Sequence, residues 1–300
     1  MSPRTAVGVP VHNGAEHVEE ALRSLLAQDG ATLGLVVFDD GSTDGSLEIA
    51  RRVAEVTEAR SERPTGLIGG WRRAAELALA SFPDAEFFAW GSDHDVWDPR
   101  WLASLVRALD ANPNAVLAYP LVDAIDDGGN HVKRTERRLD TSGIADPVAR
   151  IRAFARARRA GDMVYGLYRV GAFRSCGPFP DAVQPDRLFL AQLALKGEFV
   201  QVPEVLWHRR YRAGVVPTMA RQRRMLWAGE PPRGAQLPWK LQHWLALRRV
   251  AGARVATVYV LGLLQAIAVQ KVEQRRRQAK WSRKRWRARA SGLKRRVARH

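Results

Sequence analysis

Leu33-Gly34-Leu35-Val36-Val37-Phe38-Asp39-Asp40-Gly41-Ser42-Thr43-Asp44 decides the fold. Leu33 to Phe38 is an apolar run of strand length, of the kind a parallel sheet buries on both faces. Acids and turn formers end it abruptly, and a helical pattern follows from about Ser46 to Val56. Upstream, Ala6 to Val11 reads as a second buried strand, closed by the turn residues Asn13-Gly14. Between the two, Glu16 to Gln28 places Val18, Ala21, Leu22, Leu25 and Leu26 on one helical face. Strands and helices alternating at short spacing predict right-handed βαβ units.

The alternation continues downstream. A helix is predicted over Gly69 to Ser81, a short strand over Glu86 to Trp90, a helix over Pro99 to Leu109 and a strand over Ala115 to Leu121. The polar stretch Asp123 to Ala145 reads as a hairpin or loop. A helix over Pro147 to Arg159, a strand over Met163 to Tyr168, a helix over Asp186 to Lys196 and a strand over Phe199 to Val202 complete the pattern. Beyond Arg212 the sequence turns helical and basic, interrupted at Pro231-Pro232 and Pro238. The expected architecture is an α/β domain over residues 1–215, with a mostly parallel sheet flanked by helices, followed by a basic helical region over 216–300.

Composition narrows the chemistry. A single cysteine, Cys176, excludes an internal disulfide and thiolate metal clusters, which suits a reducing compartment. The first residues lack the long apolar stretch and cleavage site of a secretory signal. The net charge of +17 is uneven. Lys271 to His300 holds fourteen Lys or Arg against one acid, Glu273, whereas the first 270 residues carry 34 basic and 30 acidic residues. Just before this tail, Val255 to Val269 is apolar but shorter than the ~20 residues of a spanning helix, so it reads as packed or interfacial.

Open parallel sheets bind ligands beyond the carboxyl ends of their strands. Three acidic groups fall at such places: Asp39/Asp40, Asp93/Asp95 in Gly91-Ser92-Asp93-His94-Asp95, and Asp186 at a helix start. Each alone can be a turn former or a cap; together on one edge they outline a site. Two carboxylates alternating around His94 suit one hard divalent cation, Mg²⁺ or Mn²⁺, with substrate phosphates completing its shell.

Read in order, Val9-Pro10-Val11-His12-Asn13-Gly14, Ala21-Leu22-x-Ser24-Leu25-Leu26-x-Gln28, Phe38-Asp39-Asp40-Gly41-Ser42-Thr43-Asp44 and Ser92-Asp93-His94-Asp95-Val96-Trp97 resemble the family 2 glycosyltransferases of GT-A fold. The resemblance covers about residues 5 to 212 and implies inverting transfer from a nucleoside diphosphate sugar to a hydroxyl of a glycan or glycolipid acceptor. It implies that Pro10, His12, Asn13, Asp39 or Asp40, and Arg72 line the donor nucleotide. Asp93 would contact ribose or the metal shell and Asp95 would be the main metal ligand. It implies that His208, Arg209 and Arg210, within Trp207 to Arg212, close over the diphosphate, and that Asp186 is the general base, with Asp181 the fallback. Three departures from the family pattern stand out: His12 where a Tyr is common, Gly69-Gly70-Trp71-Arg72-Arg73 where Asn-containing turns are common, and Gln184-Pro185 in place of the Glu of an acidic pair.

The basic tail interleaves Trp281 and Trp286 with arginines. Behind an apolar helix this suits an anionic membrane surface over 255–300; a solvated basic helix and nucleic-acid binding are the competing readings. The expected setting is cytoplasmic, peripheral at the inner face of the cell membrane. A rival account is a catalytically degenerate protein that grips an anionic polymer or membrane. A nucleotidyltransferase would also use metal-binding carboxylates, but the Gly-rich basic loop it would carry near the N-terminus is missing from this sequence.

Overall fold

A computed structural model describes residues 3–53, 56–133, 139–157, 160–211 and 219–297. Four strands build the first half of the sheet: β1 (Thr5–Val11), β2 (Leu33–Asp39), β3 (Val56–Arg60) and β4 (Phe87–Trp90). Helices α1 (Val18–Leu26), α2 (Ser46–Arg52) and α3 (Gly66–Ser81) connect them, and all pair in parallel in the order β3-β2-β1-β4. The chain therefore steps outward from β1 to β3, then crosses back over β1 to β4. That reversal puts a switch point, where open sheets bind ligands, between the ends of β1 and β4.

The second half is mixed. Beyond β5 (Val96–Trp97) and α4 (Trp101–Asp110) come β6 (Ala115–Ile125), β7 (His131–Lys133) and α5 (Pro147–Arg156). They are followed by β8 (Leu167–Arg169), α6 (Val170–Ser175), α7 (Pro185–Ala194) and β9 (Glu198–Arg210). The sheet order is β3-β2-β1-β4-β8-β6-β9-β5, with β7 paired to β6. β5, β7 and β8 run against the other strands, so the sheet is mostly parallel, as expected from the alternation. Two expectations change. The segment Met163 to Tyr168 is a 3₁₀ turn over Ala160–Tyr165 followed by the three-residue β8, and β3 follows α2 where the sequence suggested more helix.

The pleat sorts side chains by period two. Val7, Val9 and Val11 of β1, with Leu35 and Val37 of β2, face Val18, Leu22 and Leu25 of α1 in one core layer. Ala6, Val36, Phe88 and Trp90 face the other, an aromatic layer with Trp71, Tyr168, Phe173, Phe179 and Phe189. Gly8 also faces that layer. A Cβ on Gly8 would lie 2.6 Å from the Ala74 carbonyl oxygen, so only glycine lets α3 settle on β1.

The C-terminal region closes onto this body through α8 (Met219–Leu226) and α9 (Trp239–Val297). The boundary expected near 215, and Arg212, lie outside the described residues. α9 breaks at Gly252 (φ 83°, ψ 165°). His243 Nδ1 lies 3.0 Å from the Tyr259 hydroxyl, and Trp244 Nε1 donates to Thr257 Oγ1 at 3.2 Å. Residues sixteen apart would be about 24 Å apart on an unbroken helix, so the two arms fold against each other. Leu247, Ala256, Tyr259 and Leu263 join the aromatic layer. The opposite side of the second arm leaves Leu261, Leu264, Val269 and Val272 exposed. By length and composition, Trp239–Glu273 meets the test for a membrane-crossing helix, its most apolar 18 residues having a mean hydropathy of 1.6; Gly252 breaks the helix within this span.

His243 ties the two arms to the body. It is fully buried, and Nε2 donates to the Val183 carbonyl at 2.8 Å while Nδ1 accepts from Tyr259. Burial pushes its pKa down to about 4 from 6.5, against the upward pull of the Val183 hydrogen bond. A group that must stay neutral in the fold contributes stability above the unfolded pKa and loses it as pH falls toward the folded one. Acidification from pH 6.5 to 4 is expected to cost roughly 3 kcal/mol through this residue. Melting temperatures across that range test it: His243→Gln should lose less on acidification than the wild type, and equal losses contradict the assignment.

Candidate active site

The loops after β1 and β2 are laced together. Asn13 sits at φ 52°, a left-handed conformation that Asn tolerates better than most residues. Its N–H donates to Ser42 Oγ (3.0 Å), its Oδ1 accepts from Thr43 N (3.0 Å), and Gly14 N donates to Ser46 Oγ (2.9 Å). His12 Nδ1 donates to the Asp40 carbonyl at 2.8 Å. Nε2 is then the acceptor for Asn13 Nδ2 at 3.2 Å, so the two bonds fix one tautomer. His12 and Asn13 are exposed, on the open side of the switch point.

Asp39 and Asp40 are both buried and both engaged. Asp39 accepts from Ser42 N at 3.3 Å and pairs with Arg60 Nε at 3.3 Å. Asp40 accepts from Thr65 N and Oγ1, each at 2.7 Å, and from Gly66 N at 3.1 Å, which anchors the start of α3. A methyl group on Gly70 would touch Pro10 Cβ at 3.6 Å and Asp40 Oδ2 at 3.7 Å. Pro10, Asp40 and Gly70 therefore face one narrow gap. Arg72 does not join them. Two residues past Gly70 it lies about 200° round the helix, and it donates to the Phe179 carbonyl (2.6 Å) and to Asp181 (2.8 Å). Asp181 also accepts from Trp227 Nε1 at 3.3 Å, so this fallback base serves as a tether for the C-terminal segment.

Beyond β4, Asp93 Oδ2 accepts from His12 N (3.3 Å) and Asp93 Oδ1 meets His94 Nδ1 at 2.6 Å. Asp95 is buried, with one carboxylate oxygen accepting from Arg210 N (2.9 Å) and the other from Trp207 Nε1 (3.1 Å). Burial pushes its carboxyl above the ordinary range, although His94 and Arg209 pull it down. His94 moves up: burial opposes its charge, but Asp93 and Asp95 outweigh that. His94 stands between the two carboxylates, with Nδ1 on Asp93 and Nε2 3.7 Å from Asp95.

Asp186 approaches from the other half of the sheet. Gln184 in the left-handed region (φ 57°) and Pro185 at the first turn start α7, and Asp186 stands in that turn. Its carboxylate rests on Gly161, where any Cβ would collide with Oδ2. Burial raises its pKa, the Arg187 backbone N–H and charge lower it, and neighbouring Asp162 raises it further. Arg209 reaches in from β9 to pair with Asp162 and lies over the Tyr211 ring, 5.0 Å from its centroid. Tyr165 joins the halves. Its ring packs on Trp207 (4.8 Å) and Trp71 (5.3 Å), and burial, then Asp95, Asp93 and Asp186, push its hydroxyl pKa upward.

β9 divides the expected diphosphate set. Successive residues of a strand point to opposite faces. Trp207 and Arg209 reach Asp95 and Asp162, whereas His208 turns to Asp123, with Nδ1 2.6 Å from Oδ1. Arg210 is consumed by the carbonyls of His94, Asp126 and Asp127 and by Glu20 at 2.6 Å. The resemblance placed all three on the diphosphate; of the three, Arg209 turns toward Asp162 on the side of Asp186. Sequence reading missed Gly161, Asp162 and Tyr165, which the 3₁₀ turn Ala160–Tyr165 carries to this place; the expected strand Met163 to Tyr168 covered only Tyr165 of the three. It also missed His131, which with Asp123 and His208 forms a group whose donor atoms lie within 4.8 Å of one another and could hold a metal.

Comparison with known proteins bears on the family and the fold. An uncharacterized glycosyltransferase of Rickettsia conorii is 30% identical over 42% of this chain and 20% of its own length. Another, of Rickettsia typhi, is 28% identical over 42% of this chain and 38% of its own length. The chain thus spans well under half of these relatives. An uncharacterized protein of Mycobacterium tuberculosis is 25% identical over 82% of this chain and 83% of its own length. In fold, the crystal structure of S. aureus TarS residues 1–349 with UDP-GlcNAc aligns over 88% of this chain and 71% of that one, at a TM-score of 0.57 and 17% identity. Residues 6–175, more than half of the sequence, match glycosyl transferase family 2, and the chain belongs to that family.

Proposed function

We propose that this protein is a metal-dependent, inverting glycosyltransferase that moves a sugar from a nucleoside diphosphate to an acceptor hydroxyl. One observation carries the reading: beyond β4, Asp93 accepts from His12 N and Asp95 from Trp207 Nε1, and Trp207 packs on Tyr165, whose 3₁₀ turn also sets Gly161 against the Asp186 carboxylate. In this reading Pro10, His12, Asn13, Asp39 and Asp40 surround base and ribose. Asp93 and Asp95 would hold Mg²⁺ or Mn²⁺, which would supply charge neutralisation at the leaving diphosphate. The Arg209 guanidinium offers forked donors to the same oxygens. Asp186 takes the acceptor hydroxyl proton while that oxygen bonds to the anomeric carbon from the face opposite the diphosphate. The carbon–oxygen bond to the diphosphate breaks, its electron pair leaves with the phosphate oxygen, and Asp186 passes its proton to water.

Because the TarS structure holds UDP-GlcNAc, uridine donors stand first among those to try. The test is donor turnover over a panel of nucleoside diphosphate sugars with Mn²⁺, with product configuration read by NMR. Nucleoside diphosphate release with inversion at the anomeric carbon supports the reading; retention contradicts the role of Asp186.

A membrane-linked acceptor is the accompanying proposal. It rests on the exposed stripe of Leu261, Leu264, Val269 and Val272, which runs into the basic segment 271–300. The side chains of Trp281 and Trp286 lie outside the described residues. Each basic residue near an anionic leaflet can contribute about 1 kcal/mol. Sedimentation with phosphatidylglycerol vesicles, lost on truncation at residue 270, is the expected result. Equal sedimentation of full-length and truncated chains sinks the idea.

A further inference from the structure

Asp123, His131 and His208 stand on three neighbouring strands, β6, β7 and β9. Asp123 and His208 are direct cross-strand partners, and His131 pairs with Ile125, two residues beyond Asp123 on β6. Direct and diagonal neighbours on one sheet face lie within side-chain reach. Both imidazoles converge on one carboxylate: His208 Nδ1 is 2.6 Å from Asp123 Oδ1, and His131 Nδ1 is 2.7 Å from Oδ2. The ring centroids are 5.3 Å apart and nearly perpendicular. Asp123 is 9% exposed at its side chain, His208 22% and His131 64%, so a buried anchor opens to solvent along one side.

We propose that Asp123, His131 and His208 form a transition-metal site, with Zn²⁺ as the ion it fits best, separate from the Asp93/Asp95 pair. Two imidazole nitrogens, which are borderline ligands, beside one carboxylate oxygen suit Zn²⁺ or Co²⁺ better than the hard Mg²⁺. Three protein ligands leave one coordination position for water. The separation follows from the pleat, since Trp207 and Arg209 go to the other face. Loading has a defined proton cost. Each Nδ1 that now donates to Asp123 must present a lone pair, so its hydrogen moves to Nε2, or leaves if the ring was cationic. The ion would fasten the β6–β7 hairpin to β9 next to Arg209. Arg210, which holds the Asp126 and Asp127 carbonyls of that hairpin, also donates its N–H to Asp95. The clip therefore bears on the carboxylate pair through the backbone of β9.

The experiment uses the full chain, stripped with EDTA and titrated with Co²⁺ and then Zn²⁺ at pH 7.5 without nucleotide. The expected result is one equivalent of Co²⁺ with the intense visible absorption of a low-coordinate site, displaced by Zn²⁺. His131→Ala alters an exposed side chain and should weaken Zn²⁺ by at least roughly 100-fold, the upper end for losing a group that merely orients a ligand. His131→Gln, checked by circular dichroism, covers the case in which the alanine variant misfolds. Asp95→Asn should retain the equivalent, since that carboxylate is not a ligand. Absence of the cobalt band, or a Zn²⁺ equivalent untouched by both His131 variants, overturns the proposal, and neither result bears on donor binding.

Discussion

Asp186→Asn is expected to lower kcat by roughly 10²- to 10⁴-fold, the range of a positioned general base, while leaving the donor dissociation constant near that of the wild type. The amide keeps the size of the carboxylate and can still sit against Gly161, so the fold should tolerate it. What it loses is proton affinity. The environment already tunes that affinity upward, through burial and then Asp162, against the pull of the Arg187 N–H and charge. The base must be deprotonated to act. The acidic limb of kcat against pH should therefore fall at a higher pH than an ordinary aspartate gives, and activity should rise as pH rises through it. Steady-state kinetics beside donor titration separate the two effects. A kcat within threefold of wild type would remove Asp186 from the mechanism and reopen Asp181, despite the bonds that hold it to Arg72 and Trp227.

Asp95→Asn carries the second large effect, of a different kind. The side chain is buried, and its two oxygens fasten Trp207 Nε1 and the Arg210 N–H. Asn can accept one of these bonds through Oδ1, but its NH₂ faces the other donor, so about 1–3 kcal/mol of stability is expected to go. The greater loss concerns the divalent ion, since a neutral amide in place of a buried carboxylate removes the charge that attracts it. Metal-dependent donor binding should weaken at least tenfold and turnover further still, while binding of the nucleoside alone, on the β1–β2 side, should change little. Calorimetric titration of nucleoside and nucleoside diphosphate on both proteins reads the split. Equal weakening of both ligands would mean that Asp95 is only a structural tie.

The parallel half of the sheet was legible because its signals are local. Val7, Val9 and Val11, and Leu35 to Phe38, are apolar runs whose burial needs no knowledge of distant partners, and Asp39 to Asp44 announces the turn. The other half depends on pairings made far along the chain. β5 has two residues and β8 three, too short for any period to show. β9 runs thirteen residues past irregularities in register opposite Pro120 to Val122. Those irregularities decide which way His208, Arg209 and Arg210 point, and no sequence pattern records them. The same holds for Asp162, which becomes a site residue because the 3₁₀ turn carries it beside Asp186 and Arg209. Arg72 points elsewhere for a simpler reason: Gly70 before it faces Pro10 and Asp40, and about 200° of helical rotation carries Arg72 to Asp181.

The central claim is that the edge between β1 and β4 takes a nucleoside diphosphate with a divalent ion. A thermal-shift panel of uridine, guanosine, adenosine and thymidine diphosphates, with and without Mn²⁺, tests it most directly, because ligands that bind the folded state alone raise the melting temperature. The account predicts a shift for one base that requires Mn²⁺ and is lost in Asp95→Asn. No shift with any nucleotide, from a folded sample, would contradict it and leave a family 2 fold that binds something else.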